Sequence, residues 1–300
     1  MITKSLGPTG TALPVLALMV NAFVWGVSWW PFRQFEALGL HPLWSTAAIY
    51  ALVLAALTLW RPGVWRGLAR TPSLWVLVLA SGTTNAAFNW GVTIGDVVRV
   101  VLLFYLMPLW ALLLARLLLR ERLTPMAALR MAMALAGAAV VLWPPGGGWP
   151  WPRSLAEVLG LLGGFTFALN NVWLRREAHR ADLERSTAMF LGGTVVSALA
   201  AGALMLAGQV AAPSLPGPLA GVAFLALAAA FVCANLALQY GAARLRASVT
   251  AVVMLTEIVF AAGSAAALGA GTVDARLLAG GALIVAAALL SVWGQETPAG

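Results

Sequence analysis

Residues 97–119 read VVRVVLLFYLMPLWALLLARLLL, twenty-three positions whose only charges are Arg99 near one end and Arg116 near the other. No polar face runs along this stretch. As a helix it rises about 34 Å, enough to cross a hydrocarbon core about 30 Å thick. The same reading extends to nine further stretches. The ten spans are 12–32, 42–60, 74–94, 97–119, 125–143, 155–174, 187–207, 218–240, 247–268 and 277–293. The expected class is an all-α membrane protein with ten transmembrane helices.

Composition agrees with lipid as the solvent. Hydrophobic residues make up 62% of the 300 positions and charged residues 9%, against about a quarter charged in soluble domains. The connections between spans are too short to fold as soluble domains. Cys233 is the single cysteine, so no intrachain disulfide is possible. The net charge of +8 is unevenly placed: thirteen of eighteen basic residues, among them Lys4, Arg70, Arg120 and Arg180, fall on one side of the implied membrane. Arg33, Arg99, Arg153 and Arg276 fall on the other. Basic residues mark the cytoplasmic side, which predicts cytoplasmic termini, ten crossings and a multi-pass protein of the cell inner membrane. The basic excess is thus a topology signal, with no nucleic-acid partner implied. Span 1 lacks a cleavage site and is expected to remain as a helix.

A shift of 150 residues brings the halves into register. Asn85, Ala87, Asn89, Trp90 and Gly91 fall on Asn235, Ala237, Gln239, Tyr240 and Gly241. Five helices is an odd number, so the second copy enters from the opposite side. The predicted organisation is an inverted repeat, residues 1–145 and 146–300, with the Pro/Gly-rich link 144–148 at its boundary. Transporters built this way place their sites near the midplane, where the repeats meet.

The ten spans, Trp25-Gly26 with Ser28 in span 1, Pro108 in span 4 and the turn Arg120-Glu121-Arg122-Leu123-Thr124 resemble the drug/metabolite transporter superfamily, in its branch with two EamA-type repeats. The tryptophan-dense end of span 1, Trp29-Trp30-Pro31-Phe32-Arg33, resembles the bacterial aromatic amino acid exporters of that superfamily. Ile258 stands where the family often has a proline after Glu257, and 270–273 lacks the second copy of the Glu-Arg-Leu turn. A matching kink in span 9 is therefore not implied. The resemblance implies an exporter working by alternating access.

Polar side chains in the spans are expected to face the interior, since lipid exposure is costly. Asn85, Phe88 and Asn89 share one face of span 3, and Asn235 and Gln239 repeat the pattern in span 8. Interhelical hydrogen bonding explains such residues too, at about 0.6 kcal/mol each; their recurrence in both halves favours a cavity lining. Asn21, Trp25, Ser28 and Phe32 form a stripe on span 1 at spacings of four, three and four, offering hydrogen bonds beside aromatic faces. Tyr105 and Trp110 in span 4, and Asn170 and Asn171 in span 6, complete the candidate substrate-binding set. Pro31 and Pro108 are candidate hinges, because proline cannot donate the helical hydrogen bond. Glu257 is the one acidic residue placed near mid-membrane, about eleven residues into span 9, with Thr250, Ala261 and Ser264 on its face. Three roles stay open for it: binding a substrate ammonium, carrying a coupling proton, or bracing neighbouring helices. Asp96 with Arg99, and Arg33 with Glu36, read as local ion pairs at outer helix ends.

Other classes lack their chemistry. The three aspartates, Asp96, Asp182 and Asp274, lie near helix ends, so a paired-aspartate intramembrane enzyme has no site. No metal or phosphate-loop motif occurs, and the one lysine is Lys4. No cofactor and no enzymatic activity are expected. Two substrate readings remain: small amino acids with apolar or aromatic side chains, or organic cations held by tryptophans and Glu257. The expected partners are a small-molecule substrate and the lipid bilayer, with the chain as a monomer or homodimer.

Overall fold

The computed structural model describes residues 8–119, 125–143, 146, 149, 151–177, 179–213, 217–242, 253–254, 256–270 and 274–293. Among them there are thirteen helices and no strand. They are α1 (Pro8–Val27), α2 (Trp29–Ala37), α3 (Pro42–Trp60), α4 (Val64–Arg70), α5 (Leu74–Ile94), α6 (Val97–Phe104) and α7 (Met107–Leu119). Then follow α8 (Pro125–Leu142), α9 (Leu155–Arg176), α10 (Asp182–Leu206), α11 (Gly217–Ala242), α12 (Thr256–Ala267) and α13 (Ala275–Trp293).

Among the described residues, six stretches are long and apolar enough to cross a membrane: Ala12–Ala37, Pro42–Trp60, Val97–Leu118, Leu155–Leu174, Leu183–Leu206 and Gly221–Leu238. Met131–Leu142, Thr256–Ala267 and Ala275–Ala287 are apolar but shorter. The first span continues to Ala37, five residues past the end expected from sequence, because Phe32 and Phe35 are buried and carry the helix onward. Helix α5 has the length but is more polar, with Ser81, Thr83, Thr84, Asn85, Asn89 and Thr93 along it. Fifteen of its 21 residues are buried, so those groups meet protein rather than lipid. The large exposed side chains include Leu59, Leu79, Leu199, Leu225 and Val259, an apolar outer surface suited to acyl chains. Trp60, Trp75, Trp143, Trp149 and Trp151 are exposed at helix ends or in connections, as interfacial aromatics are. The chain is a multi-pass membrane protein.

Helix ends follow local chemistry. Pro42 opens α3 while His41 Nδ1 accepts from Leu43 N at 3.3 Å. Asp96 caps α6 by accepting from Arg99 N at 3.0 Å. At α9, Ser154 Oγ accepts from Glu157 N (3.2 Å) and Glu157 Oε2 accepts from Arg153 N (2.7 Å), a reciprocal arrangement close to a capping box. Gly39 (φ 88°) and Gly208 (φ 70°) end α2 and α10 in left-handed conformation, each beginning a Schellman pair of hydrogen bonds.

Among the described residues, two interruptions lie inside expected spans. Span 1 breaks at Ser28 and span 4 at Tyr105-Leu106. Each break begins three residues ahead of a proline, Pro31 or Pro108. Neither ring nitrogen can donate to the carbonyl four residues back, at Val27 and Phe104, which are the last residues of α1 and α6.

Helix α5 packs against α9, α10 and α3; α1 packs against α11 and α12; α6 and α7 lie on α9; α8 pairs with α13. Lipid supplies little hydrophobic drive between helices, so close approach matters more. A Cβ on Gly192 would stand 2.1 Å from the Val78 carbonyl, and one on Gly82 would stand 2.4 Å from the Gly192 carbonyl. Gly137 and Gly280 oppose each other in the same way across α8 and α13, at 2.7 Å.

Candidate functional site

The break after Val27 lets span 1 present Trp25 to both large apolar clusters of the protein. Trp25 stacks on Phe231 of α11 (4.8 Å between ring centres, 18°) and meets the edge of Phe88 of α5 at 6.2 Å. Phe88 continues to Phe104 (4.9 Å) and Phe104 to Phe167 (5.4 Å). On the other side Phe231 touches Tyr50 (6.0 Å), which touches Phe190 (5.7 Å). A string of seven rings thus joins α10, α3, α11, α1, α5, α6 and α9.

Polar groups sit along this string. Tyr50 Oη donates to Asn85 Oδ1, while Asn85 Nδ2 donates to the Ser81 carbonyl at 2.8 Å. Asn89 Nδ2 donates to Thr46 Oγ1 at 3.2 Å, and Asn21 Nδ2 donates to the Ala234 carbonyl at 2.8 Å. The Oδ1 atoms of Asn21 and Asn89 are buried and accept no hydrogen bond from any described residue. Both amide orientations are set by their partners. Ala234 offers only a carbonyl, and Thr46 Oγ1 already donates to Pro42 O at 2.8 Å.

The second interruption positions Glu257. Tyr105, at the gap between α6 and α7, directs its hydroxyl to Glu257 Oε2 (2.9 Å) and to the Met254 carbonyl (3.0 Å). Glu257 is buried at the start of α12. The sequence placed it eleven residues into a helix; the described helix begins at Thr256, and Thr250 lies outside the described residues. Gly26 allows α1 to lie directly on this point, since a Cβ there would meet the Glu257 carbonyl at 2.9 Å and Phe260 Cβ at 2.8 Å. That contact gives the Trp25-Gly26 pair its structural meaning. Trp29 Nε1 donates to Ser264 Oγ at 2.9 Å one turn further along.

The other candidates divide. Ser28 is buried, but its hydroxyl donates locally to the Trp25 carbonyl (2.9 Å). Trp110 stands edge-on to Phe165 of α9 at 5.6 Å, and its buried Nε1 donates to no described residue. Asn170 is buried, whereas Asn171 lies on the exposed face of α9 and is not brought to the group. Asn235 is half-buried beside Ala234. The side chain of Gln239 lies outside the described residues, as does that of Pro108.

Longer-range contacts accompany the expected local pairings, and the charges of Arg33 and Glu36 act on each other. Arg99 Nε pairs with Glu157 Oε1 of α9 at 2.7 Å, while Asp96 caps the Arg99 backbone. Arg33 lies over the Trp29 ring and donates to the carbonyls of Thr93 (2.9 Å), Val92 (3.3 Å) and Gly95. It closes the C-terminus of α5, where a cation meets the negative end of the helix dipole. Beside these groups the structure presents a cavity of about 320 Å3 between the beginnings of α6 and α9. The central residues named above are packed against one another instead.

Sequence reading passed over Tyr50, Phe231, Thr46 and Glu157. Tyr50 carried a signal, being a hydrogen-bonding group inside an Ala/Leu-rich span. Phe231 carried none, as one more apolar residue in an apolar helix.

Comparison with known proteins places this geometry. An uncharacterized transporter of Pseudomonas aeruginosa is 32% identical over 149 residues, covering 47% of this chain and 49% of that protein. The chain therefore spans about half the length of the curated relative it matches. A solved crystal structure, described only as that of a protein, shares the fold at TM-score 0.60 and 20% identity, over 97% of this chain and 100% of its own. Residues 12–143 match the EamA-like transporter family.

Proposed function

We propose that the chain is a secondary transporter of the cell inner membrane that exports small amphipathic solutes by alternating access. Amino acids with apolar or aromatic side chains are its substrates. The observation that carries this reading is the ring string centred on Trp25, with the buried acceptors of Asn21 and Asn89 beside it and Glu257 held by Tyr105. Rings take an apolar body, and unpaired acceptors take N–H donors. ATP plays no part, and the chain acts without a cofactor.

The chain is read as two inverted five-helix repeats, 1–145 and 146–300, crossing ten times with both termini in the cytoplasm. Helix pairing supports this. The third span on the sixth (α5 on α9) has its counterpart in the eighth on the first (α11 on α1). The fourth on the sixth (α6 and α7 on α9) has its counterpart in the ninth on the first (α12 on α1). The fifth and tenth, α8 and α13, pair with each other and are read as a brace or a dimer surface. The family match ends at residue 143, next to the proposed boundary. Of the two sides of the membrane, the ends of α6 and α9 at Asp96 and Ser154 are then the outer ones.

A second reading, export of organic cations, is favoured by one observation: a buried carboxyl, Glu257, near an aromatic string. Reconstituted protein in liposomes, tested with labelled amino acids and organic cations with and without a pH gradient, decides. Saturable flux of aromatic amino acids supports the first reading. Flux of cations alone supports the second, and no saturable flux of any solute overturns both.

A further inference from the structure

We propose that Arg99 and Glu157 form the outer latch of the transport cycle, an ion pair that holds the two halves together and parts when the outer side opens. This rests on the transporter reading above. Arg99 is the third residue of α6 and Glu157 the third of α9, so each half contributes one partner at the start of a helix. Their 2.7 Å contact lies at the cavity of about 320 Å3, with Ile94, Asp96, Val100 and Leu155 around it.

Contacts below the pair are close. A Cβ on Gly95 would stand 2.3 Å from Ala156 Cβ, and one on Gly91 would meet Val100 Cγ1 at 3.2 Å. Val100 is 1% exposed. The structure is therefore closed at this end, with the charges on top and α5, α6 and α9 sealed beneath them. Separating α9 from α6 requires the pair to break first.

The strength of the pair suits a device that opens repeatedly. The Arg99 side chain is 33% exposed and that of Glu157 11%. Water screens such a pair, leaving it far weaker than a fully buried one. It biases an equilibrium without locking it. The two residues differ from ordinary surface partners in one further respect: each has a separate local role that survives loss of its charge. The Asp96 cap uses the Arg99 backbone N–H, and the Arg153 N–H is accepted by Glu157 Oε2. Glutamine serves that second role nearly as well as glutamate. Arg99→Gln and Glu157→Gln thus remove the ion pair and leave the helix starts in place.

The test uses full-length protein in liposomes, with Cys233→Ala and a reporter Val100→Cys beneath the pair, and a membrane-impermeant thiol reagent added outside. Glu157→Gln and Arg99→Gln are each expected to raise the labelling rate about two- to fivefold, the range expected for a partly exposed ion pair. The exchanged pair Arg99→Glu with Glu157→Arg is expected to return labelling toward the parent rate, and Arg99→Lys to keep most of the closure. Parent rates in both glutamine variants overturn the latch, as does an exchanged pair that labels as fast as they do. Labelling needs no solute. A latch that opens in protein moving no solute therefore sinks the transporter reading alone, and unchanged labelling in protein that does move solute sinks the latch alone.

Discussion

The Tyr105 hydroxyl stands between Glu257 Oε2 at 2.9 Å and the Met254 carbonyl at 3.0 Å, one O–H facing two acceptors. A single hydrogen serves one of them fully at a time. On the reading proposed above, a solute ammonium or a proton that engages Glu257 would compete with Tyr105 and leave its hydroxyl to the Met254 carbonyl, just ahead of α12.

Glu257→Gln keeps the shape and a hydrogen-bonding group while deleting the ability to ionise. Amino acid flux is expected to persist but fall about tenfold, the cost of weakening one charged hydrogen bond. Cation export and the pH dependence of flux are expected to be lost. Tyr105→Phe is expected to fall between this variant and the parent. Flux of labelled solutes at two pH values checks all three, and parent rates everywhere in Glu257→Gln remove the carboxyl from the mechanism.

The crossing of α5 and α10 depends on having no side chain at two positions. Gly192→Ala puts a Cβ against the Val78 backbone, which has no rotamer to yield, so a loss of about 2–4 kcal/mol is expected. Gly202, on the same helix, faces open space, and Gly202→Ala is expected to stabilise by about 0.5–1 kcal/mol through helix propensity. Unfolding midpoints in detergent compare the two directly. Equal midpoints would show that the crossing has room for the added methyl.

Glu177, in the turn after α9, is buried against the start of α5. Burial pushes its carboxyl up, but hydrogen bonds from Arg180 and Ser73, with the charges of Arg180 and His179, hold it below the ordinary glutamate value. A depressed folded value means that its contribution is complete above the ordinary range, near pH 4–5, and is lost as pH falls through the lower folded value. Parent protein is expected to lose stability on acidification through that window more steeply than Glu177→Gln. Superimposable pH profiles would show that the contact contributes nothing.

The proposed ten crossings with cytoplasmic termini would place Arg70 and Trp149 on opposite sides of the membrane. Single cysteines at the two positions, in a Cys233→Ala protein, are expected to react with an impermeant reagent from opposite faces of oriented vesicles. Labelling from the same face removes the topology and the inverted repeat together.

The sequence by itself determined the solvent, because runs such as residues 97–119 are long and apolar enough to cross a bilayer. It also determined both helix breaks, since Pro31 and Pro108 each withhold a backbone donor wherever the chain is placed. Helix starts at Asp96 and Ser154 were equally local, resting on a cap within three residues. Tertiary structure alone decided which faces turn inward. Residues such as Phe231 and Val259 are similar in character, yet one is 3% exposed and the other 68%. Around a soluble helix, water and core are distinguished by polarity; around these helices, lipid and core are both apolar, so periodicity carries little information. For the same reason the partners that matter are distant in the chain: Tyr50 with Asn85, Trp29 with Ser264, Arg99 with Glu157. Each of those pairings joins two helices, and its geometry exists only once glycines such as Gly26 and Gly95 have let the backbones approach.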